Sequence, residues 1–197
     1  MGPMIRPGTA VVLAATLAAA TPAAADPPDL VLKTRVFLPG KDVVEPYGEN
    51  YIYTPTAPQN GRLIVLFPGS SMGRYKPFMT AAAAHGYHVL GLDSPMTAAK
   101  GDAEDAITHR LVAILQYLKA EKQGSGQFLL CRDAEPCRPD WPKITVAGQG
   151  NGAAVASSLA ERHQGSGMKM LDSADCPDLE GDDEGGCWDR FLANPPP

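Results

Sequence analysis

Excess positive charge is the first thing this sequence lacks. Its 17 lysines and arginines are outnumbered by 22 aspartates and glutamates, so it offers no basic surface on which a nucleic acid or an anionic membrane would settle. Metal-binding patterns are missing too. The four cysteines follow no C-x-x-C spacing and no histidine accompanies either pair, which argues against a zinc site. Carboxylates alternate from Asp178 to Glu184. However, Asp183 stands where an EF-hand loop needs its glycine and Asp189 where it needs its glutamate, so that segment reads as a solvated acidic loop. No metal and no cofactor is expected. The chain has no internal repeat, no domain linker, and only one long apolar run, at its very start.

That run defines the first element present. Arg6 precedes apolar residues from Thr9 to Ala20, and Ala23-Ala24-Ala25 provides an A-x-A cleavage pattern, so residues 1–25 read as a signal peptide cut before Asp26. The run is too short and alanine-rich to act as a spanning helix, and no cysteine follows the cut to carry a lipid. The expectation is a secreted or periplasmic chain with no integral membrane span after cleavage. Residues 26–171 are expected to form one domain, and residues 172–197, acidic and ending in Pro-Pro-Pro, a loop or disordered tail. In an exported chain four cysteines imply two disulfides, with three connectivities possible. Local pairing, Cys131 with Cys137 and Cys176 with Cys187, is the first choice.

The middle of the chain alternates strand and helix. Leu30 to Leu38 and Tyr51 to Tyr53 read as short edge strands broken by proline and glycine. Leu63-Ile-Val-Leu-Phe67 runs apolar without interruption, as a strand covered on both faces must. A helix follows from about Tyr75 to His85, ended by Gly86 in a left-handed cap, and then a strand from Tyr87 to Leu92. Ile107, Leu111, Ile114, Leu115 and Leu118 draw one apolar stripe along a second helix. Gly124 to Pro142 reads as a polar loop, Lys143 to Ala147 as a strand, Asn151 to about Arg162 as a helix and Met168 to Leu171 as one more short strand.

In this order, the strand running into Phe67-Pro-Gly-Ser-Ser71, the Gly86-Tyr87 joint, Asp93-Ser-Pro95 and the strand running into Gly148-Gln149-Gly150-Asn151-Gly152 resemble the core of the α/β-hydrolase superfamily. The resemblance covers about Arg62 to Arg162. It implies an α/β fold, a mainly parallel sheet flanked by helices in a partial three-layer core, shorter than the family's usual sheet by about two strand–helix units. It also implies that the first quoted loop carries an oxyanion donor, and that the second is the nucleophile elbow, G-x-S-x-G, on a strained strand-to-helix turn. Gly148 and Gly152 match the elbow glycines. The centre departs from the pattern: Gly150 has no side chain, and acyl transfer needs an oxygen or sulfur nucleophile there.

Gly69-Ser70-Ser71-Met72-Gly73 satisfies G-x-S-x-G literally but occupies the oxyanion-loop position, where serines form turns and cap helices. The family places its histidine late, after the acid, whereas His163 is the only histidine after Gly150 and closes the next helix. His85, His88 and His109 read as ordinary histidines, and Ser157 and Ser158 as packing or surface residues. The resemblance with these departures implies an exported hydrolase-like protein with a degenerate catalytic apparatus, a ligand-binding or remnant form. Its remaining asset is a notch of donors at Ser70, Ser71 and Asn151, suited to a small carboxylate or ester-like ligand. The alternative is an active secreted serine ester or lipid hydrolase using Ser71 or another nucleophile.

Overall fold

A computed structural model describes residues 29–37, 44–93, 102–133, 135–163, 165, 169–171, 179–180 and 186–193. The expected signal peptide and its cleavage site lie outside these residues, as do Cys176 and most of the acidic run from Asp178 to Glu184. In chain order the elements are β1 (Leu30–Phe37), β2 (Val44–Tyr53), β3 (Leu63–Phe67), α1 (Lys76–Ala84), β4 (His88–Gly91), α2 (Asp102–Ala120), β5 (Leu129–Arg132), β6 (Glu135–Pro139), β7 (Ile144–Gly148), α3 (Asn151–Arg162), β8 (Lys169–Leu171) and α4 (Cys187–Ala193).

Six strands form one sheet in the order β1-β2-β4-β3-β7-β8. β4, β3, β7 and β8 run parallel, and β1 and β2 join antiparallel at one side. The parallel strands are buried because helices cover both faces. Leu63, Val65 and Phe67 of β3 pack with Ile107, Leu111, Leu115 of α2 and Leu159 of α3. Ile64 and Leu66 point the other way, toward Phe78 and Met79 of α1 and Trp188 of α4. This is the period-2 alternation of a strand inserted between two apolar layers. Ile64, Val65, Leu66, Val89, Leu90, Ile144 and Val146 are all at 1% exposure or less, each worth about 1.5–3 kcal/mol of burial. The α2 stripe is buried in full, and Gly86 ends α1 at φ +85°.

Three expectations need correction. β2 is not a short edge strand over Tyr51 to Tyr53. It is ten residues long and lies between β1 and β4, because two neighbours supply the ladder that Pro46 and Gly48 discourage locally. The β1–β2 register slips between Lys33 and Arg35, where Pro46 pairs and has no N–H to give. The polar stretch from Gly124 contains the antiparallel hairpin β5–β6, clasped by the Cys131–Cys137 disulfide. The tail is not wholly loop. Within it α4 packs against α1, with Trp188 edge-on to Phe78 at 5.6 Å between ring centroids, and Trp188, Leu192 and Leu179 are buried. A seven-residue helix with two buried anchors carries too little periodicity to read, and it is held by the surface it docks on. Cys187, at its start, is disulfide-bonded.

Candidate functional site

β3 and β7 are parallel neighbours that end level, Phe67 opposite Gly148, so the chain leaving each strand emerges at the same edge of the sheet. The two exits touch. A Cβ on Gly69 would collide with the carbonyl oxygen of Gln149 and lie 3.0 Å from its carbon. A Cβ on Gly152 would collide with the Phe67 carbonyl, and one on Gly148 with the carbonyl of Gly152. These three glycines let β3, β7 and the first turn of α3 approach to backbone contact.

Gly150 is glycine for a different reason. It stands immediately before α3 with φ 56° and ψ −123°, a conformation that costs a residue with a side chain about 1–3 kcal/mol. Space is not the constraint, since a Cβ there would meet only the Gly69 Cα, at an ordinary 3.7 Å. Ser71, by contrast, has a relaxed backbone at φ −59°, ψ 128°, makes no side-chain capping hydrogen bond, and is exposed. Of the two G-x-x-x-G candidates, the strained strand-to-helix turn is the one lacking a side chain.

None of the four histidines stands near that turn. His163 follows the last residue of α3, about 18 Å along the helix from Asn151 at 1.5 Å per residue. It stacks on Trp141 at 4.1 Å, and burial and the Arg162 charge hold its imidazole below the usual range. His88 pairs with Leu63 at the start of the strands, about 13 Å from their far ends. His85 caps the C-terminus of α1 and contacts Asp189 at 3.0 Å. His109 is exposed on α2, away from the buried stripe. Ser157 is half-buried on α3, and Ser158 donates to Glu104.

A serine and a histidine do meet elsewhere. The Ser125 hydroxyl lies 3.0 Å from His88 Nδ1, and the Gln127 amide nitrogen 3.2 Å from Nε2. An amide N–H donating to Nε2 leaves the proton on Nδ1, which then donates to the serine, the reverse of what activation of a nucleophile requires. Both residues are 1% exposed, and a Cβ on Gly124 would sit 2.6 Å from the His88 ring. Burial keeps this imidazole neutral by lowering its pKa. The pair is a satisfied core contact. Beside it an open cavity of about 320 Å³, lined by Gln59, Lys119 and Gln123 among others, lies at the edge of the sheet opposite Gly150.

At the glycine edge the polar groups converge on a residue of the tail. Glu180 Oε1 accepts from the Ser70 hydroxyl at 2.6 Å and from the Tyr75 hydroxyl at 3.0 Å, and Oε2 lies 2.9 Å from Arg74 Nε. The Tyr75 hydroxyl in turn accepts from the Gly69 N–H at 2.9 Å. Burial raises the Tyr75 pKa, so the phenol stays protonated and donates. The Leu179 N–H donates to the Gln149 side-chain oxygen at 3.1 Å, which ties the same segment to the turn. At the start of α3 the N–H groups of Gly152 and Ala153 donate to Gln149 and Gly150, whereas that of Asn151 has no acceptor among the described residues.

Gly148, Gly150 and Gly152 therefore lie at one edge of the sheet against Phe67 and Gly69, with Ser70 next to Gly69, Asn151 at the start of α3 and Ser71 exposed. Sequence pattern alone does not mark Glu180, Arg74, Tyr75 or Gln149 as site residues. Nothing in the sequence distinguishes Glu180 from the other acidic residues of the tail. Among the described residues no cluster of histidine, cysteine and carboxylate side chains is able to hold a metal, and no helix is long and apolar enough to cross a membrane.

No protein-family model matches this chain, and no curated protein does. Among solved structures it is similar to an arylesterase (TM-score 0.44, 14% identity, covering 74% of this chain and 44% of that one). It is also similar to a thermostable carboxylesterase cloned from a metagenomic library (0.44, 14%, 72% and 44%) and to an esterase of Pyrobaculum calidifontis (0.42, 16%, 73% and 43%). The likeness is distant and partial, and this chain spans less than half the length of those structures.

Proposed function

We propose that this chain is an exported α/β-hydrolase-like protein that binds a small carboxylate or ester-like group at the notch between Gly69–Ser71 and Asn151 without turning it over. Gly150 carries the reading. It occupies the strained turn between β7 and α3, where a nucleophile would stand, and it has nothing with which to attack a carbonyl carbon. The four histidines lie along other parts of the fold, so no histidine reaches the turn as a general base. The Ser70 hydroxyl and the Asn151 N–H supply donors of the kind that hold an oxyanion or a carboxylate. Two charge-assisted hydrogen bonds at about 1.5–3 kcal/mol each correspond to a Kd of the order of 1 mM. The apolar start and the disulfides support export.

The literal motif Gly69 to Gly73 and the exposed Ser71 hydroxyl favour a second reading, a secreted ester or lipid hydrolase with Ser71 as nucleophile. One experiment separates them. The protein is exposed to a fluorophosphonate probe and to p-nitrophenyl butyrate. No labelling and background hydrolysis are expected, together with butyrate-dependent shifts of the Ser70 and Asn151 amide resonances. Hydrolysis abolished by Ser71→Ala would establish the second reading.

A further inference from the structure

The carboxylate of Glu180 occupies the Ser70 hydroxyl, one of the two donors that an external ligand would use. It comes from far along the chain, 110 residues after Ser70, and it meets a hydroxyl, a phenol and a guanidinium on the loop after β3. The backbone beside it is fixed to the turn after β7 through Gln149. The segment thus spans both walls of the notch. Leu179, the immediate neighbour of Glu180, is buried, so Glu180 is held close to the notch.

We propose that Glu180 is a built-in carboxylate occupant of this notch, and that an external carboxylate binds by displacing it. The inference rests on the binding reading above and adds its regulation. The chemistry that holds Glu180 is that of a carboxylate site: one oxygen takes two O–H donors and the other faces Arg74. The Tyr75 phenol is pre-oriented because its own oxygen is fixed by the Gly69 N–H. Glu180 keeps about a fifth of its side-chain surface exposed and Arg74 about two thirds, at 19% and 65%. Screening by solvent weakens such a partly exposed ion pair, so the contact is reversible. With Leu179 buried and its N–H fixed to Gln149, the Glu180 carboxylate faces the notch at an effective concentration in the millimolar range or above. A free carboxylate of millimolar affinity therefore has to outcompete it, and its apparent affinity falls by a factor of about ten at tens of millimolar effective concentration.

The test uses the disulfide-intact full chain, butyrate as the probe, amide resonances of Gly69, Ser70 and Asn151 to report the notch, and hydrogen exchange at Leu179 to report the segment. Glu180→Gln removes the charge and keeps the shape. It is expected to bind butyrate about ten-fold more tightly than the wild type, while in the wild type butyrate accelerates exchange at Leu179, which an altered local charge alone would not do. Arg74→Ala, at an exposed position, is the second variant if Glu180→Gln fails to fold, and it too should raise Leu179 exchange. Equal butyrate affinity in variant and wild type, with Leu179 exchange unchanged by butyrate, would overturn the displacement and leave the binding reading intact. No butyrate-dependent shift in either protein, with Leu179 exchange raised in the variant, would overturn the binding reading and the displacement with it.

Discussion

Replacing Gly150 with serine restores the sequence of a nucleophile elbow, and the structure specifies both its cost and its failure. The added Cβ meets the Gly69 Cα at 3.7 Å, so no steric collision contributes. What remains is the backbone at φ 56°, ψ −123°, costing about 1–3 kcal/mol for a residue with a Cβ, or roughly 2–12 °C in Tm for a domain of this size. Gly150→Ala should cost about the same, because the hydroxyl has no part in the strain. Gly152→Ala should cost more than either. Its Cβ drives into the Phe67 carbonyl and lies 3.0 Å from the Pro68 carbon, both backbone, so α3 and β3 must separate. Urea unfolding followed by tryptophan fluorescence measures all three. In the same samples p-nitrophenyl butyrate hydrolysis by Gly150→Ser should stay near background, since a serine without its histidine retains only what binding and oxyanion donors supply. A free substitution at Gly150, or a cheaper one at Gly152, would refute the account of the turn. Robust turnover by Gly150→Ser would show that a base reaches it after all, and Glu180→Gln in that background would be the next measurement, because Glu180 is the carboxylate at this edge.

Burial depresses the pKa of His88 and of His163 below 6.5, so between the folded and unfolded values the unfolded chain binds more protons. The stability their neutrality provides is therefore complete above pH 6.5 and is lost as pH falls through the folded pKa values. His88→Asn should make the urea midpoint less dependent on pH between about 7 and 5, and an unchanged slope would contradict a neutral buried His88. Trp188→Ala removes the α4 anchor against Phe78 and should destabilise by about 3–5 kcal/mol, read by urea unfolding. A loss under about 1 kcal/mol, within the range of surface substitutions, would mean that α4 does not depend on this contact.

The covered strands and the helices between them were legible because each signal is local and continuous. Leu63 to Phe67 has no polar residue to place on a solvated face, the stripe from Ile107 to Leu118 holds the helical period, and Gly86 ends a helix where only a left-handed residue fits. The glycine spacing from Gly148 to Gly152 was legible in the same way, since the contacts it permits are made within one strand-to-helix turn. The tertiary structure decided what depends on partners distant in the chain. β2 became an interior strand through β1 and β4 despite Pro46, and α4 became a helix because α1 offers Phe78 to Trp188. The string Gly69 to Gly73 matches G-x-S-x-G literally and Gly148 to Gly152 does not, and backbone angles, relaxed at Ser71 and strained at Gly150, show which of the two is the tight strand-to-helix turn. Glu180 was the least readable residue of all. Its place at the notch comes from the packing of Leu179 and the bond of Leu179 to Gln149, and a carboxylate in an acidic tail carries no local mark of the hydroxyls and the guanidinium that it meets across 110 residues of chain.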